Sequence, residues 1–67
     1  MSNQSEIEQL YEIAIQIKKA GYEPYEQIYG YLQTGLAAYI TRTGNAREKI
    51  QLISTNSIRE FLNLIKK

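Results

Sequence analysis

The side chains available for chemistry in this sequence are glutamate, lysine, arginine, tyrosine, serine and threonine, because histidine, cysteine and aspartate are all absent. A Ser or Thr nucleophile needs a neighbouring base, and the imidazole that most often provides one is missing. Acid–base work would fall to Glu, Lys or Tyr, yet the seven acidic residues form no close cluster away from the first predicted helix. Without thiolate or imidazole there is no common transition-metal ligand set, and without cysteine there is no disulfide. The inventory therefore points to a protein that is not an enzyme, takes no cofactor or metal, and acts by contact.

Contact with nucleic acid is one such chemistry. Six tyrosines could stack on bases, but Glu23 and Glu26 lie beside Tyr22, Tyr25 and Tyr29 and would repel phosphate. Tyrosines packed in a core or an interface fit that neighbourhood better. Residues 24–53 also have the order helix, connection, helix, with Asn45, Arg47 and Lys49 where a recognition helix would begin. The connection of about ten residues is longer than the 3–4 of the tight motif, and no strongly basic face is present. A small helix-turn-helix-like DNA-binding regulator stays as the alternative function, and the sequence argues against nucleic acid as the partner. Phosphorylation is a further chemistry. Ser2 and Ser5 are the early hydroxyls, and phosphate on Ser5 would sit favourably at a helix N-terminus, although a helix cap explains the same residue.

With 67 residues, the chain is a single domain that buries only about 60% of its unfolded surface. Lacking disulfides and metal, it is expected to gain stability by forming a homodimer. Residues 1–34 hold five Glu and two Lys, whereas 35–67 hold two Glu, three Arg and three Lys. Such asymmetry suits solvated helix faces and could also orient self-association. The N-terminal residues resemble no secretory signal and no apolar run approaches a membrane span, so a cytoplasmic protein without membrane insertion is expected.

Four helices, at about 6–20, 24–34, 45–53 and 56–66, give an all-α fold expected to assemble as a homodimeric bundle. Ser5 and Glu8 have capping-box spacing, and Lys18, Lys19 and Gly21 form the matching stop. Ile7, Leu10, Tyr11, Ile13, Ala14, Ile15 and Ile17 spread over an arc of about 200°, roughly twice the stripe that one contact needs. Either this helix is buried centrally in its own chain, or part of the arc meets a second copy. The expectation is the dimer interface, formed by Ile7, Leu10, Tyr11, Ile13, Ala14 and Ile17.

Pro24 opens the second helix and Gly35 follows its end. Tyr25, Ile28, Tyr29 and Leu32 make its apolar face, and Gly30 within it predicts close approach of another backbone. Residues 36–40 form a short apolar connection and 41–45 a cap region. Asn45 then caps a third helix whose Ala46, Ile50 and Ile53 face inward. Ser54-Thr55-Asn56-Ser57 offers several N-caps for the last helix, which repeats Ile58, Phe61, Leu62 and Ile65 and closes on Lys66 and Lys67.

The skeleton Gly21-Tyr22-x-Pro24-x-x-Gln27-Ile28-x-Gly30-Tyr31-Leu32-x-x-Gly35-x-x-Ala38-Tyr39-Ile40-Thr41, followed by Asn45-Ala46-Arg47-x-x-Ile50, closely resembles the IreB family of small bacterial regulatory phosphoproteins. The resemblance is strong over about residues 10–50. It implies an all-helical homodimer that regulates through protein contacts, within signalling by a membrane Ser/Thr kinase linked to envelope stress and antibiotic resistance in low-GC Gram-positive bacteria. Tyr22, Pro24, Gln27, Gly30, Tyr31, Tyr39, Asn45 and Arg47 match the family pattern; Gln27, Asn45 and Arg47 are the candidates for polar contacts or caps. This chain departs from the pattern in three places. Leu36-Ala37 replaces a usual Asp-Pro, the charged segment after the third helix is replaced by Ile53-Ser54-Thr55-Asn56-Ser57, and no Thr precedes Thr34 to match the family's phosphorylated tail.

Overall fold

A computed structural model describes residues 4–66, and Ser2 and Lys67 lie outside the described residues. The elements run α1 (Gln4–Lys19), α2 (Pro24–Thr34), two single 3₁₀ turns (Ala37–Tyr39 and Thr43–Asn45), α3 (Ala46–Ile50) and α4 (Thr55–Ile65). Helix α1 packs against α2, α3 and α4, and α2 also packs against α4. The wide apolar arc of α1 is thereby covered from three sides within one chain. Ile7, Leu10, Ile13 and Ile17 are at most 4% exposed. They belong to the chain's own core, which corrects their assignment to an interface between copies: three short helices are enough to enclose a central one. Of the six interface candidates only Ala14 and Tyr11 stay partly accessible, and Tyr11 sets its ring edge-on against Phe61, with centroids 4.9 Å apart.

Local chemistry explains the helix ends. At the end of α1, Gly21 adopts φ +91°, the Tyr22 amide donates to the Ile17 carbonyl and the Gly21 amide to Lys18. These are the paired bonds of a Schellman motif. Pro24 opens α2, where Glu23 is the N-cap and its Oε1 accepts from the Tyr25 amide at 2.8 Å. Gly35, at φ +73°, ends the helix with a bond from its amide to the Tyr31 carbonyl. The third helix is shorter than expected. After Ile50 the chain tightens into i→i+3 turns, with the Leu52 amide donating to Lys49 and Ile53 to Ile50, so that Ile53 still faces the core. Ser54 caps α4, its Oγ accepting from the Ser57 amide.

The start of α1 differs from the capping-box expectation. Ser5 lies inside the helix rather than at its cap, and the first-turn acid that matters is Glu6. Glu6 reaches across to α4: Ser57 Oγ donates to its Oε1 at 2.6 Å, Ser54 Oγ donates to the same oxygen at 2.9 Å, and the Ser54 amide donates to Oε2 at 3.3 Å. Ser57 is fully buried, so this bond supplies the partner that its hydroxyl needs away from water. The hydroxyls of Ser57 and then Ser54 hold the Glu6 carboxyl below its ordinary value.

Because Glu6 ionises more readily when folded, its contribution is complete above the unfolded carboxyl value of about 4.3 and drains away as pH falls through the lower folded value. Urea midpoints measured from pH 7 down to pH 2.5 should therefore fall in the acid range. Glu6→Gln should flatten part of that fall, and identical acid profiles for the two proteins would dismiss the clasp as a source of stability.

Candidate functional site

The connection between α2 and α3 builds a face where several of the family-pattern residues meet. Its anchor is Ile40, fully buried although it lies in extended backbone outside any helix. Burying that side chain draws the peptide group between Ile40 and Thr41 away from water, and both its N–H and its C=O need a partner. Gln27 on α2 gives one, its Oε1 accepting from the Thr41 amide at 2.9 Å. Arg47 on α3 gives the other, its Nε donating to the Ile40 carbonyl at 2.9 Å. Two side chains from flanking helices thus clamp one apolar anchor.

Beyond the clamp the chain turns sharply. The Thr41 and Thr43 hydroxyls lie 3.1 Å apart, and Thr41 Oγ1 also accepts from the Thr43 amide at 3.3 Å. Gly44 and Asn45 follow, both left-handed at φ +61° and +62°. A Cβ on Gly44 would stand 2.5 Å from Gln16 Oε1, so this turn is seated on α1. Asn45 stands at the N-cap position of α3, as expected, but in left-handed backbone and without a side-chain cap bond; its place there rests on tolerating positive φ.

Clamp and turn enclose an open cleft of about 410 Å³ lined by Tyr22, Gln27, Ala38, Ile40, Thr41, Arg42, Thr43 and Arg47. No acidic residue lines it. Arg42 and Arg47 continue into an adjoining hollow of about 350 Å³ with Asn45 and Glu48. Among the described residues neither guanidinium forms an ion pair. The cleft is thus a recognition surface that offers positive charge and hydroxyls. Nothing in its lining pairs an activated nucleophile with a base.

Of the pattern residues, Tyr22, Gln27 and Arg47 meet at the cleft, and Asn45 shapes its floor turn. Tyr39 lies beside it, half exposed, with its ring laid over Gly30. The close approach predicted at Gly30 is real, but it comes from this aromatic ring and not from a backbone. Pro24 and Tyr31 are structural: one opens α2, the other packs partly buried against the core. Sequence reasoning passed over Ile40, Thr41, Arg42 and Thr43 as sites. The available signal was Ile40 closing the apolar run 36–40 just before a polar glycine turn, with Arg42 and Arg47 five residues apart. The helix expected over 45–53 is reduced to Ala46–Ile50, too short to lie along a DNA groove as a recognition helix does.

A protein-family model described as the IreB regulatory phosphoprotein matches residues 1–66 of the chain. The match extends past the strongly similar stretch at 10–50 and takes in α4.

A Cβ at Gly30 would lie 2.6 Å from Tyr39 Cδ1. Gly30→Ala should stabilise the protein by about 0.5–1 kcal/mol once Tyr39 is Ala, through helix propensity alone. With Tyr39 present it should destabilise. Equal gains in both backgrounds, read from denaturant midpoints, would show that the ring does not depend on the glycine.

Proposed function

The chain belongs to the IreB family of regulatory phosphoproteins, and from that membership we propose that it regulates by binding a protein partner through the Gln27–Arg47 cleft, without catalysis of its own. The observation that carries this proposal is the clamp. It holds a basic, hydroxyl-rich surface rigidly against the core, and rigid presentation lowers the entropy lost on binding. The partner is a component of a Ser/Thr-kinase pathway serving envelope stress or antibiotic resistance, as the family resemblance implies. The protein works in the cytoplasm; among the described residues no helix is long and apolar enough to cross a membrane.

The working form is a homodimer. Supporting it, Tyr11 and Ile15 project from one side of α1 at 47% and 53% exposure, one helical turn apart, and Leu64 on α4 is exposed as well. This face replaces the buried Ile7, Leu10, Ile13 and Ile17 as the place for a second copy.

Two measurements test these proposals. Affinity capture from the native host should recover a discrete protein on the wild-type chain and lose it on the double variant Tyr22→Ala, Arg42→Ala, whose side chains make no bond that the fold requires. Capture unaffected by those changes would remove the cleft from the function. Sedimentation equilibrium at roughly 50 micromolar, where a complex with micromolar Kd is mostly assembled, should give a dimer that Ile15→Glu dissociates. A wild-type monomer there would sink the dimer.

A further inference from the structure

We infer that the cleft between the α2–α3 connection and the start of α2 is a binding site for a phosphomonoester dianion, with Arg42 and Arg47 as its charged ligands. The inference rests on the proposal that this cleft is the recognition face, and it names the group recognised there.

The lining has a surplus of donors over acceptors. Two of its acceptors already have partners: the Ile40 carbonyl takes the Arg47 Nε proton, and Gln27 Oε1 takes the Thr41 amide proton. The second bond also fixes the orientation of the Gln27 amide, because an N–H can face only its oxygen. The Gln27 NH₂ group is then a donor without a protein acceptor. Arg47 keeps its terminal N–H groups, Arg42 keeps its whole guanidinium, and Tyr22 adds a phenol. Thr41 and Thr43 share one bond between two hydroxyls, so one proton of that pair is still available.

Charge points the same way. Arg42 and Arg47 line the cleft with no carboxylate among its lining residues. Glu48 stands in the hollow on one side, and Glu23 and Glu26 in the hollow on the other, which shares Tyr22, Gln27 and Ala38, so the arginine end is where the anion is held. A phosphomonoester carries about −1.5 to −2 charge near pH 7 and three terminal oxygens, which balances the pair and can accept from several donors at once. A carboxylate balances one arginine, and a phosphodiester has a single charge. Preorganisation favours the site further: the Nε bond holds the Arg47 plane in place before any ligand arrives, leaving its outer edge for a forked pair of bonds.

The dianion can come from a phosphorylated side chain of a protein or from a small phosphorylated metabolite, and the test distinguishes them. The full-length ¹⁵N-labelled chain is titrated at low salt and pH 7.5 with four probes: inorganic phosphate, acetate, a neutral blocked pentapeptide bearing a central phosphothreonine, and the same peptide unphosphorylated. Phosphate and the phosphopeptide should shift the amides of Thr41, Arg42, Thr43 and Arg47 saturably, while acetate and the plain peptide leave them in place. Tighter binding of the phosphopeptide than of phosphate assigns the site to a phosphorylated protein; equal binding assigns it to a small ligand.

Arg42→Gln removes a charge without touching any bond in the fold and should weaken binding about tenfold. Gln27→Glu keeps an oxygen for the Thr41 amide but places a carboxylate in the cleft. It should fold normally and abolish binding. No saturable shift up to millimolar phosphate in the folded protein, an equal response to acetate, or binding of duplex DNA without a response to either monoester would each overturn the inference. Loss of partner capture in the Tyr22, Arg42 variant alongside such a failure would leave the contact function standing and remove the anion site alone.

Discussion

The burial of Ile40 is the constraint on which this fold and its recognition face both depend. A single apolar side chain from an irregular segment is driven into the core, and the peptide group that follows it, between Ile40 and Thr41, must then be satisfied at both its C=O and its N–H without help from a helix ladder. Gln27 and Arg47 meet that need from opposite sides. With the segment fixed, the rest follows in order: the turn over Thr41–Asn45 must reverse tightly, Gly44 and Asn45 take left-handed backbone, and Tyr39 is laid across Gly30. A side chain that binds a backbone group with one atom and lines a cleft with the others serves structure and recognition together. Separating those roles by mutation is therefore harder at Arg47 than at Arg42.

The same economy governs the core. In so short a chain each helix must cover others, and α1 is the one α-helix that meets the other three. Its apolar arc looked too wide for one partner, and it is: three helices share it. The second stabilising device is polar, with Glu6 joined to the α4 cap through Ser54 and the buried Ser57. This bond connects positions about fifty residues apart and closes the ends of the chain onto each other. Tyr11, Ile15 and Leu64 are among the apolar side chains that the chain does not cover itself.

Much of the architecture was legible because it depends on neighbours in sequence. Pro24, Gly21 and Gly35 marked helix boundaries that the structure keeps almost to the residue, and the spacing of Ile58, Phe61, Leu62 and Ile65 identified the buried face of α4. The family pattern pointed correctly to the family. The site was legible only in part. Gln27 and Arg47 stood out as polar candidates, but their partners lie fourteen and seven residues away respectively, across a connection whose course no local rule fixes. Ser5 and Asn45 both matched a capping pattern, yet Ser5 lies within α1 and Asn45 caps α3 without a side-chain bond; a motif of three or four residues cannot say which backbone conformation will win.

By itself, then, the sequence determined helix number, the inward stripe of α4 and the family, since each follows from residue type or from periodicity within one segment; of the stripe expected on α2, Ile28 is buried and Tyr29 is exposed. Only the tertiary structure decided that Ile7, Leu10, Ile13 and Ile17 face their own chain, that an aromatic ring occupies the space over Gly30, and that two arginines share a cleft with no carboxylate in its lining. Those outcomes turn on which surfaces meet. That depends on how the whole set of apolar faces can be covered at once, a condition no single segment carries.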